Sequence, residues 1–246
     1  MGEKILEVKN LTKYFGQLAA VKNISFEIDA EEIIGVIGPN GSGKTTLLNL
    51  ITGFLRPEDG SIKFKNINIV GYKPHQIVKI GIARTFQHIR PFRTLTVEEN
   101  IKVALIGIFG GSEMKLKCEI DKVLKFMELY EKRQLPVGSL PYIDQKKVEI
   151  ARAIATKPCL LFLDEPFSGL SPCEIAIIRE SLLALNREGI TLTIIEHKLQ
   201  EIMRLVKRLM VLDQGKIIAD GNSIEIFKNE KVAEVFSGMG SIVAGG

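Results

Sequence analysis

The chain has 246 residues, 46% hydrophobic and 25% charged, which is enough apolar material for one large domain and an ordinary charge content for a globular protein. A net charge of +4 is compatible with an acidic lipid surface, but with no tryptophan, no basic stripe and no recognised module it gives no support to nucleic-acid binding. Cys118, Cys159 and Cys173 lie far apart with no C-x-x-C spacing, and neither a signal peptide nor a run of about 18 apolar residues is present, so a protein of the reducing cytoplasm with no membrane span, disulfide framework or zinc site is expected.

Short β-branched or alternating runs at 5–8 and 24–28, and a third at 62–69 interrupted by Asn66 and Asn68, predict an antiparallel β region beside the stretch that follows the second run. Residues 33–37 form a buried-strand run. Residues 98–108 and 113–130 read as helices, the second with a broad apolar face from Met114, Leu116, Ile120, Val123, Leu124, Met127 and Leu129. After Pro136, Gly138 and Pro141, a helix is expected over 144–156, a buried strand over 160–163, a helix over 173–186 and another buried strand over 191–195. A helix over 198–206 and strands over 208–212 and 216–219, around the turn Asp213-Gln214-Gly215, complete the pattern, and 238–246 reads as a loose tail. Strands alternating with helices imply a largely parallel sheet covered by helices on both faces.

Between the strand at 33–37 and a helix that begins near Thr46 stands Gly38-Pro39-Asn40-Gly41-Ser42-Gly43-Lys44-Thr45, which fits the phosphate-binding pattern G-x-x-x-x-G-K-S/T. Glycines let backbone N–H groups close around phosphate oxygens, Lys44 brings a positive charge to the β- and γ-phosphates, and the Thr45 hydroxyl is a Mg²⁺ ligand. The strand–loop–helix order aims a helix N-terminus at the anion. Far downstream, the apolar run 160–163 ends in Asp164 and Glu165. A buried strand delivers such residues to the carboxyl edge of an open sheet, where ligands bind. Asp164 suits Mg²⁺, and Glu165 suits polarisation of an attacking water. Taken alone these acids would equally fit a strand that stops at two solvated carboxylates; the phosphate loop upstream favours the site.

With these motifs in their order the chain resembles an ATP-binding cassette (ABC) ATPase over most of residues 5–237. The resemblance implies an α/β P-loop NTPase cassette with a mostly parallel core sheet, an antiparallel β subdomain and a helical subdomain at about 88–145. It also implies ATP and Mg²⁺ as ligands. It assigns Tyr14 to stacking on adenine and Gln87, in Arg84-Thr-Phe-Gln, to Mg²⁺, the attacking water and the γ-phosphate. His197 in Ile194-Ile-Glu-His-Lys is then the γ-phosphate histidine, and Ser168-Gly169-Leu170-Ser171 the loop that meets a partner cassette. His75 and His88 are read as structural. In the implied mechanism ATP is hydrolysed between two cassettes, with Lys44, Gln87 and His197 positioning the phosphates and Glu165 as general base. The ATP-contacting set is Tyr14 and the loop residues Gly38 through Thr46, and the metal set is Thr45, Gln87 and Asp164.

One segment departs from the family. Counting back from Val148-Glu-Ile-Ala-Arg-Ala, the signature, usually close to Leu-Ser-Gly-Gly-Gln, is here Leu140-Pro141-Tyr142-Ile143-Asp144. Pro141 lacks both the hydroxyl and the N–H, Ile143 puts a branched side chain where glycine allows close approach, and Asp144 adds negative charge near an anion. One like-charge pair at about 4 Å costs roughly 4 kcal/mol at an effective dielectric near 20. An asymmetric heterodimer with a paralogous cassette is therefore expected in preference to a homodimer; the alternatives are that the segment tolerates these changes or that Asp144 caps the helix. The stretch from Arg84 to Asn100 is similar to cassettes of branched-chain amino-acid importers, which use two cassettes, two permease chains and an external binding protein. Residues 101–139 are shorter than that subgroup's usual insertion. The region 88–130, with Pro91, Phe92 and Leu95 beside Arg90 and Arg93, is the expected permease contact, a subdomain core being the alternative reading. Other readings of the function are another ABC transporter, such as a lipopolysaccharide exporter, and a regulatory cassette with weak hydrolysis. A peripheral position on the cytoplasmic face of the membrane follows from the transporter reading.

Overall fold

The computed structural model describes residues 2–86, 91–109 and 113–237. Gln87, His88, Arg90 and the tail at 238–246 lie outside the described residues. The chain divides into two compact units, Met1–Pro74 together with Thr193–Gly246, and His75–Leu192.

In the first unit the runs seen as 5–8 and 24–28 are the inner parts of two long strands, β1 (Lys4–Phe15) and β2 (Leu18–Asp29). They pair antiparallel, with Val8 opposite Phe26 and Leu11 opposite Ile24. The register slips between Val8 and Leu11, and Asn10 and Asn23 there take positive φ of 51° and 53°. That irregularity returns Leu11 to the buried face after the polar Lys9 and Asn10, which is why strict alternation underestimates strand length. β3 (Ile33–Ile37) precedes the phosphate loop, and α1 (Lys44–Ile51) follows it. The expected run at 62–69 is a hairpin, β4 (Asp59–Phe64) and β5 (Ile67–Asn68), turned by Lys65 and Asn66, both with φ above zero. These strands form an antiparallel sheet of order β2-β1-β4-β5.

The second unit opens with a short helix, α2 (Pro74–Lys79, whose first residue closes the first unit), and a short strand, β6 (Ile82–Arg84), neither of which the sequence pattern separated. Helices α3 (Val97–Phe109), α4 (Glu113–Phe126) and α5 (Tyr142–Ala155) follow. The helix expected over 113–130 stops at 126 because Glu128 turns to φ 56°. Strand β7 (Leu160–Asp164) pairs in parallel with β6, and helix α6 (Pro172–Arg187) follows. Strand β8 (Thr191–Ile195) carries the chain across the division.

Back in the first unit come α7 (Leu199–Met203), shorter than expected, then β9 (Arg208–Asp213) and β10 (Lys216–Asn222). β3 pairs in parallel with β9, placing Gly35 opposite Leu209, and β10 closes antiparallel on β9. A Cβ on Gly35 would lie 2.4 Å from Leu209 and 2.7 Å from Ile202 side-chain atoms, so the residue is small for packing reasons. Helix α8 (Glu230–Ser237) ends the described chain. No helix among the described residues is long and apolar enough to cross a membrane.

Candidate nucleotide site

In the first unit the phosphate loop is held at both ends. Gly38 has φ 154° and sits so close to β9 that a Cβ would meet the Leu212 carbonyl oxygen at 2.1 Å. Gly43 has φ 104°, and a Cβ there would meet the Ala20 carbonyl oxygen of β2 at 2.4 Å. Both positions therefore need glycine, on conformation and on space. Gly43 stands at the N-cap of α1 and offers no side-chain acceptor. Lys44 is 7% exposed, and its Nζ donates to Gly38 O and Pro39 O at 2.8 Å each. An amine aligned on the loop's own carbonyls at the start of a helix fits a polyphosphate. Thr45 is exposed at the helix start.

Also in this unit, Tyr14 lies at the end of β1 with 42% of its surface exposed, and its N–H donates to Glu58 Oε2 at 3.2 Å. His197 is exposed just after β8. Its backbone is fixed by Glu196, a buried carboxylate whose Oε2 accepts from His197 N–H at 3.0 Å and Lys198 N–H at 3.2 Å. Sequence reasoning passed over Glu196; the signal was an acid closing an otherwise apolar strand.

In the second unit Asp164 is buried at the end of β7. Its N–H donates to Thr85 Oγ1 at 3.2 Å, and its Oδ2 lies 3.5 Å from Arg84 Nη2. Burial pushes the Arg84 pKa down, against the opposing pull of Asp164. Glu165 follows with φ 49°, a left-handed conformation that costs a non-glycine residue about 1 kcal/mol or more. The strand thus breaks sharply at the acid pair. The carboxylates at 164 and 165 are hard oxygen donors of the kind that suit Mg²⁺. Arg84 and Thr85 were not among the expected site residues; the sequence signal was their place just before Gln87.

The signature segment differs from expectation at Asp144. This residue is 5% exposed, and its Oδ2 accepts from Lys132 Nζ at 2.6 Å. The carboxylate is turned into its own unit and neutralised there, so the repulsion foreseen for an approaching anion loses its main source. Nor does Asp144 cap the helix: the N-cap is Pro141, with no side-chain hydrogen bond. Tyr142 instead packs against the loop at 168–171, for a Cβ on Gly169 would meet its Cε1 at 3.0 Å. Burial raises the Tyr142 pKa, with a contribution from Glu149. Ser171 caps α6 in a capping box, its N–H donating to Glu174 Oε2 at 2.8 Å, which gives serine a structural role at this position.

Residues 21–168 match the family described as ABC transporter. The chain is 37% identical to LivG, the high-affinity branched-chain amino acid transport ATP-binding protein of Salmonella typhimurium (strain LT2), over 97% of this chain and 99% of the relative. A crystal structure of a nucleotide-free ATP-binding cassette from an ABC transporter superposes with a TM-score of 0.86 at 34% identity, covering 95% of this chain and 98% of that one. A dimeric ATP-binding cassette in a post-hydrolysis state, bound to ADP and Pi, superposes with a TM-score of 0.79 at 27% identity, covering 89% and 99%. The fold is therefore that of an ATP-binding cassette, an α/β P-loop NTPase. The chain belongs to the ABC transporter family and is an ATPase of the kind whose hydrolysis is coupled to transport.

Proposed function

We propose that this cassette powers uptake of branched-chain amino acids, peripheral to the cytoplasmic face of the membrane, in an assembly with a second cassette, permease chains and an external binding protein. The observation that carries the reading is the likeness to LivG along nearly the entire chain. Residues 1–237 act as one cassette, with a helical subdomain near 88–145 that meets the permease. Phe92 supports that contact: it is exposed, and Arg152 lies 4.8 Å over its ring, so the region is not simply core.

In this reading Tyr14 stacks on adenine, the loop from Gly38 to Thr46 and Lys44 hold the phosphates, and Gln87 and His197 sense the γ-phosphate. Thr45, Asp164 and Gln87 hold Mg²⁺, which when bound neutralises phosphate charge. Glu165 takes a proton from the attacking water. Pro141 and Ile143 still make this chain's signature a poor phosphate cradle, which favours a heterodimer with a better signature on the partner. The test is to co-purify the assembly through a tag on this chain, place it in proteoliposomes with the binding protein, and measure ATPase activity against leucine, isoleucine and valine. Stimulation by these and not by an unrelated solute is expected; no response to any of the three overturns the substrate class.

A further inference from the structure

Several anchors fix the end of β6, from which the chain runs on to Gln87. Thr85 N–H donates to Phe162 O at 2.9 Å, and Thr85 Oγ1 accepts from Asp164 N–H at 3.2 Å. The Arg84 guanidinium lies 4.6 Å over the Phe86 ring. On the other side, Phe86 N–H donates to Glu149 Oε1 at 3.0 Å. Glu149 belongs to α5, the helix whose first residue is Tyr142 of the signature segment. It is 6% exposed, and Lys146, 1% exposed, stands beside it with Nζ 3.5 Å from Oε2.

Burying a carboxylate and an ammonium in a helix face is unfavourable compared with apolar residues of like size, so packing alone does not account for the pair. What an apolar pair could not do is accept the Phe86 N–H. We propose that Glu149 is a positioning residue for hydrolysis: it fixes the backbone of Phe86, the residue just before Gln87 in the sequence, on the helix that carries the signature residues. The inference rests on the reading of Gln87 as the γ-phosphate glutamine. Misplacement of a positioning group by about 1 Å is enough to cost up to about 100-fold in rate.

Two double variants isolate the hydrogen bond. Lys146→Met with Glu149→Gln removes both charges and keeps an acceptor for Phe86; Lys146→Met with Glu149→Met removes the acceptor as well. In the assembly co-purified with the tagged chain, the first should keep kcat near the parent's. The second should lose about tenfold or more in kcat, with KM for ATP and cooperative melting unchanged. Equal kcat in the two overturns the proposal, and so does a fall in kcat that merely follows lost nucleotide binding or lost melting. Should the Met variant not fold, Glu149→Asp, which keeps the charge but draws the oxygens back by one methylene, must show the kcat loss instead; parent kcat there overturns the idea equally. Gln87→Ala runs alongside. Parent kcat in that variant removes the reading of Gln87 and the proposal with it, whereas low kcat there beside equal kcat in the double variants sinks the Glu149 inference alone.

Discussion

Lys44 and Glu165 are each set by their immediate backbone surroundings. The Lys44 ammonium rests on Gly38 O and Pro39 O, so it is already desolvated and aimed along the loop that phosphates would enter. Glu165 is set apart from β7, which ends at Asp164, by its left-handed backbone. Replacing Glu165 by Gln keeps shape and removes basicity. Loss of about 10²–10⁴-fold in turnover is expected, roughly 3–5 kcal/mol of barrier, with ATP binding retained. Phosphate release and nucleotide titration on the same preparation check it, and parent turnover would take Glu165 out of the role. Asn100 shows the opposite case, a polar residue with a purely structural duty. Fully buried, its Nδ2 donates to Phe92 O, Leu95 O and Thr96 O, and its Oδ1 accepts from Phe92 N–H. It holds the turn before α3, and nothing in its sequence neighbourhood distinguishes it from a surface asparagine.

Among the elements, ends are decided by local chemistry and lengths by pairing. Helix α6 begins where Ser171 and Glu174 satisfy each other's backbone N–H groups, with Pro172 at its first position. Ser171→Ala should cost about 1 kcal/mol of stability, read as a lower urea midpoint with unchanged slope; an unmoved midpoint would mean that the Glu174 carboxylate suffices. Strand ends in the first unit depend on a longer-range device. Arg208 of β9 donates from Nε and Nη2 to Asp220 of β10 at 2.7 and 2.8 Å, and from Nη1 to Glu27 O at 3.1 Å and Glu32 Oε2 at 3.2 Å. These bonds raise its pKa, against the opposing effect of burial, and bind the turn after β2 to the β9–β10 hairpin. No local pattern marks Arg208, because its partners are remote in sequence.

For the chain as a functional unit, the question is whether it works with a copy of itself. Asp144 no longer counts against that, since Lys132 neutralises it inside its own unit. Pro141 and Ile143 still do. The purified chain alone should therefore hydrolyse ATP feebly, and adding a second cassette with a glycine-rich signature should raise the rate about tenfold or more, the scale of losing a positioned donor set. Brisk hydrolysis by the isolated chain would show that the segment tolerates its substitutions.

The family and its P-loop fold were legible from residue types, because backbone closure on phosphate demands particular residues at short, contiguous spacing. The strands at 33–37, 160–163 and 191–195 were legible for a similar reason, since a fully buried strand must be a continuous apolar run. Other features were not. The reach of β1 past its bulge, the inward turn of Asp144 onto Lys132, the Glu196 brace behind His197 and the seating of Phe86 on Glu149 all depend on which remote groups meet. Charged residues in a linear pattern look alike whether solvated or buried. Only packing in three dimensions supplies the partner that makes burial of a charge tolerable, and so decides which of them are structural.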